Sequence, residues 1–107
     1  MKATPVILAA AIMLAACEPP DRCTDTFTAF VMSQNFVERA LRSPSTAEFP
    51  RMTAPGVHVE AFGQCQFLIV AWVDAQNGFG ATVRTPYVVE VQYLPESDRW
   101  RLVDLNL

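Results

Sequence analysis

The stretch Cys65–Leu94, CQFLIVAWVDAQNGFGATVRTPYVVEVQYL, decides the fold. It reads as two long β runs around one turn. In Cys65–Ala75, every second residue from Cys65 through Phe67, Ile69, Ala71 and Val73 falls on one face. Leu68, Val70 and Trp72 fall on the other, which is also apolar. Gln76–Gly80, QNGFG, breaks the run, and Asn77-Gly78 is a strong hairpin signal because both residue types tolerate positive φ. In Ala81–Leu94, Val83, Tyr87, Val89, Val91 and Tyr93 alternate with Arg84, Glu90 and Gln92. Pro86 cannot donate to a ladder and marks an edge or a bulge. A register centred near Phe79 sets Asp74 opposite Arg84.

Outward from this hairpin the pattern continues. Pro95–Asp98, PESD, is a turn, and Arg99–Leu107 is a last strand. Trp100 and Leu102 share one phase, while Val103, Leu105 and Leu107 share the other; a bulge near Leu102 reconciles them. Upstream, after a loop through Pro55-Gly56, Val57–Phe62 (VHVEAF) alternates as a strand. Further upstream, Thr24–Arg42 (TDTFTAFVMSQNFVERALR) has helical periodicity, with Thr24 or Asp25 as N-cap. Phe27, Phe30, Val31, Val37 and Leu41 are expected to face the core, flanked by Ala29, Met32 and Phe36. Glu38 and Arg42 form an i, i+4 pair on the exposed side.

Between helix and strands lies Ser43–Pro50, SPSTAEFP. Pro44 disfavours helical geometry at Ser43, so the helix stops near Arg42. Ser45 and Glu48 have capping-box spacing, enough for one turn. Pro50 makes Phe49 extended. The segment reads as a device that stops a helix and seats Phe49. Ser45 and Thr46 are more polar than a stop requires, which keeps a recognition loop as the other reading. One helix followed by four strands with short turns favours an α+β layer, a helix packed on a four-stranded antiparallel meander, broadly resembling cystatin-like folds.

The first residues, MKATPVILAAAIMLAAC, do not belong to that layer. Lys2 is a short positive region, and Val6–Ala16 is apolar but too short to span a bilayer as a mature helix. Residues 1–16 therefore read as a signal peptide. Leu14-Ala15-Ala16-Cys17 resembles a lipobox, which implies cleavage before Cys17 and lipid on that cysteine. The alternative is an ordinary secreted protein with Cys17 free. Residues 17–23 form a short tether stiffened by Pro19 and Pro20, and residues 24–107 one domain. Glu18 is acidic, as inner-membrane retention residues are. Those are mainly Asp, so the expected destination is the outer membrane, with the domain facing the periplasm.

Without Lys2 there are 7 basic and 11 acidic residues, a balance of −4. That excludes neither membrane nor protein partners, but it argues against nucleic acid and against electrostatic attraction to anionic lipid. Anchoring then falls to the acyl chains. Of three cysteines, Cys17 takes lipid, leaving Cys23 and Cys65 as a pair in an oxidising compartment. A bond between them closes a loop of about 40 residues and contributes roughly 3 to 4 kcal/mol. The alternative is two buried free thiols.

The runs FVMSQNFVERALRSPSTAEFP and WVDAQNGFGATVR, with the closing RWRLVDLNL, resemble a family of small uncharacterised bacterial and prophage-encoded proteins. Its signatures are a helix ending in Ser-Pro-Ser-Thr-Ala-x-Phe-Pro and a Val-Asp-Ala/Ser-Gln-Asn hairpin with a downstream Arg. The resemblance covers most of the chain after residue 16 and implies no activity. Many members carry a cysteine near the positions of Val88 and Val89, where this chain has none.

Catalytic chemistry is sparse. His58 is the only histidine and has no Cys/His/Asp cluster around it, so neither a zinc site nor a triad is expected. There is no Gly-rich phosphate loop and no nucleophile elbow. No cofactor is expected. The candidate binding residues are Phe79, Asp74, Asn77, Arg84, Trp72, Ser45 and Thr46. For Asp74, Asn77 and Arg84 the plainer reading is a cross-strand ion pair and a turn. The apolar phase Leu68, Val70 and Trp72 reads as an interaction surface, or as a face covered by curling or by Arg51–Gly56. The expected function is a membrane-anchored, non-enzymatic module binding an envelope protein. The alternative is a ligand or enzymatic pocket between helix and sheet, with Asp74 or Glu90 as a buried base.

Overall fold

The structure, a computed structural model, describes residues 21–107. The signal segment 1–16, the lipidation residue Cys17 and most of the tether lie outside the described residues. A 3₁₀ turn, Arg22–Thr24, leads into helix α1 (Thr26–Arg39), and a second 3₁₀ turn (Pro44–Thr46) follows it. The strands are β1 (His58–Phe62), β2 (Gln66–Gln76), β3 (Thr82–Leu94) and β4 (Arg99–Asn106). They lie in the order β1-β2-β3-β4, each antiparallel to its neighbour. The protein is thus an α+β layer of one helix on a four-stranded meander.

Alternation places the core. Every second residue of β2 from Phe67 to Ala75 is buried, as are Tyr87, Val89, Val91 and Tyr93 of β3. Ala29, Phe30 and Val37 of α1 pack onto that face with Val57. Each fully buried aliphatic or aromatic side chain contributes about 1.5–3 kcal/mol, which makes this face the main source of stability. The opposite, outer face carries Leu68, Val70, Trp72, Asp74, Arg84, Pro86, Val88 and Glu90.

The helix is capped by Asp25, one of the two expected caps, whose carboxylate accepts from the Thr28 amide at 3.0 Å and the Thr28 hydroxyl at 2.6 Å, and it differs from its sequence reading in its end and in its buried stripe. It ends at Arg39, three residues early, because the chain turns at Ala40 to bring Leu41 back over the core. Arg42 is therefore past the helix, and the expected pair with Glu38 is not made. The buried stripe is Ala29, Phe30, Ser33 and Val37. Phe27 and Val31 are exposed, at 63% and 41%. Ser33 takes a core position because its hydroxyl donates to the Phe30 carbonyl at 2.7 Å, which removes the cost of burying it.

The sheet also refines the reading. Cys65 sits in the β1–β2 turn with φ +59, beside Gln64 at +66, rather than in a strand. The ladder shifts between Glu90 and Val91: Glu90 faces Asp104 and Val91 faces Leu102, so Val103 is the extra residue. That bulge reconciles the two phases of β4. Pro86 faces Trp72 in β2 in unbroken register. On its other side β4 reaches only to Val88, so Pro86 lies where β3 is itself an edge.

Candidate functional site

The polar and aromatic candidates gather at one end of the sheet. Cys23 and Cys65 are joined by a disulfide at the other end. There, the Tyr93 amide donates to the Cys65 carbonyl and the Gln92 carboxamide to the Gln64 carbonyl, both at 2.9 Å, tying the turn to β3. From that pole β2 runs for 11 residues to the β2–β3 loop, roughly 35 Å at about 3.3 Å per residue.

The β2–β3 loop is Asn77–Ala81, one residue later than the expected Gln76–Gly80 and centred on Phe79 as expected. Gln76 faces Thr82, and the Asn77 amide donates to the Ala81 carbonyl at 2.9 Å. Neither Asn77 nor Gly78 has positive φ; Gly80 does, at +83. Asn77 acts through its side chain, whose carbonyl accepts from the Phe79 amide at 2.9 Å and the Ala81 amide at 3.1 Å. Asn77 thus holds the loop through its side-chain oxygen, while the two N–H donors of the same carboxamide remain for a ligand. Phe79 is 98% exposed, an aromatic ring with almost no contact to the rest of the chain.

Ser43–Pro50 packs beside this loop and extends the sheet there. β1 pairs with β2 only as far as Val70. Beyond it, Glu48 and Asp74 exchange both backbone hydrogen bonds, at 2.8 and 3.0 Å. The Thr46 hydroxyl donates to the Ser43 carbonyl at 2.7 Å and accepts from the Gln76 amide at 2.9 Å. The expected capping box is replaced by these contacts, and Ser43 makes no side-chain cap. Phe49 is partly buried and meets Tyr87 edge-on, with centroids 6.4 Å apart. So Thr46 fills an edge position on β2, whereas Ser45 is exposed and makes no recorded hydrogen bond.

On the outer face, Asp74 and Arg84 are directly opposite. Arg84 Nε and Nη2 donate to the two carboxylate oxygens at 2.8 and 2.9 Å. The same guanidinium lies over the Trp72 ring, 3.7 Å from its centroid. These hydrogen bonds hold the Asp74 carboxyl below its ordinary range and raise Arg84 further. Gly56 of the preceding loop comes to the indole edge: a Cβ there would sit 4.0 Å from Trp72 Nε1. The outer apolar phase is thus covered at its Trp72 end and open at Val88, which is 41% exposed.

Between the end of α1 and the hairpin there is a groove of about 370 Å³. Leu41, Ala75 and Val83 give it apolar walls, and Arg42, Gln76 and Asn77 a polar rim. Arg42 passes over Gly78 at van der Waals distance: a Cβ there would lie 3.8 Å from Arg42 Cδ. Sequence reasoning missed Arg42 as a site residue, since only the early helix end brings it here. Asp74 and Glu90 project from the opposite face of the sheet. The expectation that either is a buried base between helix and sheet is therefore corrected by strand alternation.

His58 is exposed, and among the described residues no group of acidic, histidine or cysteine side chains could hold a metal ion. No helix among them is long and apolar enough to cross a membrane. The chain matches no family model, no curated protein and no solved structure.

Proposed function

We propose that the protein is a membrane-anchored bacterial lipoprotein that acts without catalysis, binding another envelope protein through the β2–β3 pole. The observation carrying this reading is Phe79, an aromatic side chain left 98% exposed at the end of the sheet opposite the disulfide. Exposing a phenylalanine fully to water has no folding benefit, and a partner that buried its ring would gain apolar area and an aromatic anchor. The Cys23–Cys65 bond holds the start of the domain at the far pole. A lipid on Cys17, six residues earlier, would then place the membrane at that end and present Phe79 away from it. The lipobox-like Leu14–Cys17 supports the anchor, and the acidic balance supports a partner other than nucleic acid.

The test is a photo-crosslinker at Phe79 in the full-length chain in its own host, with Glu96 on the β3–β4 turn as control site. The expected result is one discrete adduct from position 79, absent from position 96, in the membrane fraction. Replacing Cys17 by Ser is expected to release the chain from that fraction. A folded chain with no adduct at position 79 rejects the binding pole, and membrane retention of the Cys17→Ser variant rejects the anchor.

The groove supports a second reading, a small-ligand site. Its volume lies in the range of ligand pockets, and apolar walls with a few polar groups are typical of them. A thermal shift with a small ligand, abolished by Arg42→Ala, would favour it.

A further inference from the structure

We infer that β4 is a self-association surface, where two copies of this chain pair antiparallel and extend the sheet from four strands to eight. Among the described residues the sheet has two edges, β1 and β4. An unpaired edge is a template for another strand. β1 offers five residues and β4 eight, of which all but Trp100 and Leu105 are exposed.

The bulge makes β4 complementary to itself. Arg101 faces Gln92 and Asp104 faces Glu90, so both lie on the outer face. In a regular strand, residues three apart point to opposite faces; the extra residue at Val103 brings these two to the same one. A two-fold axis through the centre of Leu102–Val103 then sets Arg101 against the partner's Asp104, and Asp104 against the partner's Arg101. The same axis sets Trp100 against the partner's Leu105 on the helix face. At the axis Leu102 meets the partner's Val103 and Val103 the partner's Leu102, each 37% exposed. The contact is isologous and closes on itself, with an apolar centre between two opposite-charge pairs.

Both charged side chains are already oriented. Arg101 Nη2 donates to Gln92 Oε1 at 2.6 Å, and Asp104 Oδ1 accepts from the Leu105 amide at 3.0 Å. Each retains further donors or acceptors for a partner. β1 lacks this match: an axis at its centre places Glu60 against a second Glu60, and like charges directly opposite are destabilising.

The test is sedimentation velocity of the full-length chain in density-matched detergent over a range of concentrations. Wild type is expected to form dimers, weakened by salt. Arg101→Asp alone and Asp104→Arg alone are each expected to be monomeric, because each sets like charges face to face. Mixing the two variants is expected to restore a dimer, since each copy then presents charges opposite to the other's. Wild type that stays monomeric throughout overturns the proposal and assigns the bulge to blunting the edge. Single variants that dimerise as wild type does, or a mixture that stays monomeric, overturn this register. Hydrogen exchange on wild type needs no variant: β4 amides are expected to gain protection as concentration rises, and concentration-independent exchange counts against pairing.

Discussion

Arg84 covers Trp72 and grips Asp74 with the same guanidinium, 3.7 Å from the indole centroid and 2.8 Å from the nearer carboxylate oxygen. One cation thus shields an aromatic ring and satisfies an acid on the outer face. It is also why that face is less open near the hairpin than Leu68, Val70 and Trp72 suggest in sequence. The hydrogen bonds from Arg84 lower the Asp74 pKa from its ordinary 3.8. A depressed carboxylate stabilises the fold fully above its unfolded value and loses that contribution as pH falls through its folded one. The melting temperature of wild type is therefore expected to exceed that of Asp74→Asn by a constant amount near neutrality. The gap should shrink below about pH 4, the ordinary carboxylate range. A gap unchanged down to acid unfolding would detach the pair from stability.

Thr46 and Ser45 are neighbours with opposite expected phenotypes. The Thr46 hydroxyl bonds the Ser43 carbonyl and the Gln76 amide, joining this segment to the edge of β2. Thr46→Val is expected to cost about 1 kcal/mol, which is roughly 4–8 °C in a domain of this size. Ser45→Ala at an exposed position should stay within about 0.5 kcal/mol of wild type. Equal effects in thermal melts would contradict the assignment of Thr46 to the edge of β2.

The Cys23–Cys65 bond spans 42 residues of chain. Restricting that loop in the unfolded state contributes about 4 kcal/mol in the chain-entropy model. A 107-residue chain with one covering helix has little margin to lose. Reduction, or Cys23→Ser with Cys65→Ser, is expected to lower the melting temperature by well over 10 °C, on the scale of several degrees per kcal/mol. A shift of only a few degrees would mean that the unfolded chain is already compact between these residues.

The sheet was legible because its signals are local. Alternation in β2 and β3 and the bulge in β4 are written in consecutive residues. The facing of Asp74 and Arg84 follows from symmetry about Phe79. The helix was legible in kind and, at Ala29, Phe30, Val37 and Leu41, in phase, but not at its first turns. Phe27 and Val31 are apolar and helically spaced, yet the stripe turns toward Ala29 and Ser33, since a serine that bonds its own backbone packs as a small core residue. The hairpin and its centre were legible, but the positive φ expected at Asn77-Gly78 falls at Gly80, because an asparagine can order a loop through its side chain. Thr46–Gln76, Glu48–Asp74 and Arg42 over Gly78 are contacts across about 30 residues. No periodicity within a window of a dozen residues records them.

Tyr87 is a core residue with an unused hydroxyl. It is 2% exposed, and its oxygen has no hydrogen-bond partner among the described residues. Burial alone pushes its pKa up to about 12. A buried polar group without a partner costs about 1–3 kcal/mol relative to an apolar group of the same shape. Tyr87→Phe keeps the ring against Phe49 and removes only that oxygen, so it is expected to raise the melting temperature at neutral pH. The alkaline side adds an independent sign. A phenol whose folded pKa is raised loses stability as pH climbs from the unfolded value of 10 toward the folded one. The advantage of Tyr87→Phe is therefore expected to widen between about pH 10 and 12, the interval between those two values. Tyr93 remains in both proteins, so the difference between them isolates Tyr87. A variant less stable than wild type at neutral pH would show that the hydroxyl is bonded, and a gap that stays flat into alkali would show that it is not desolvated.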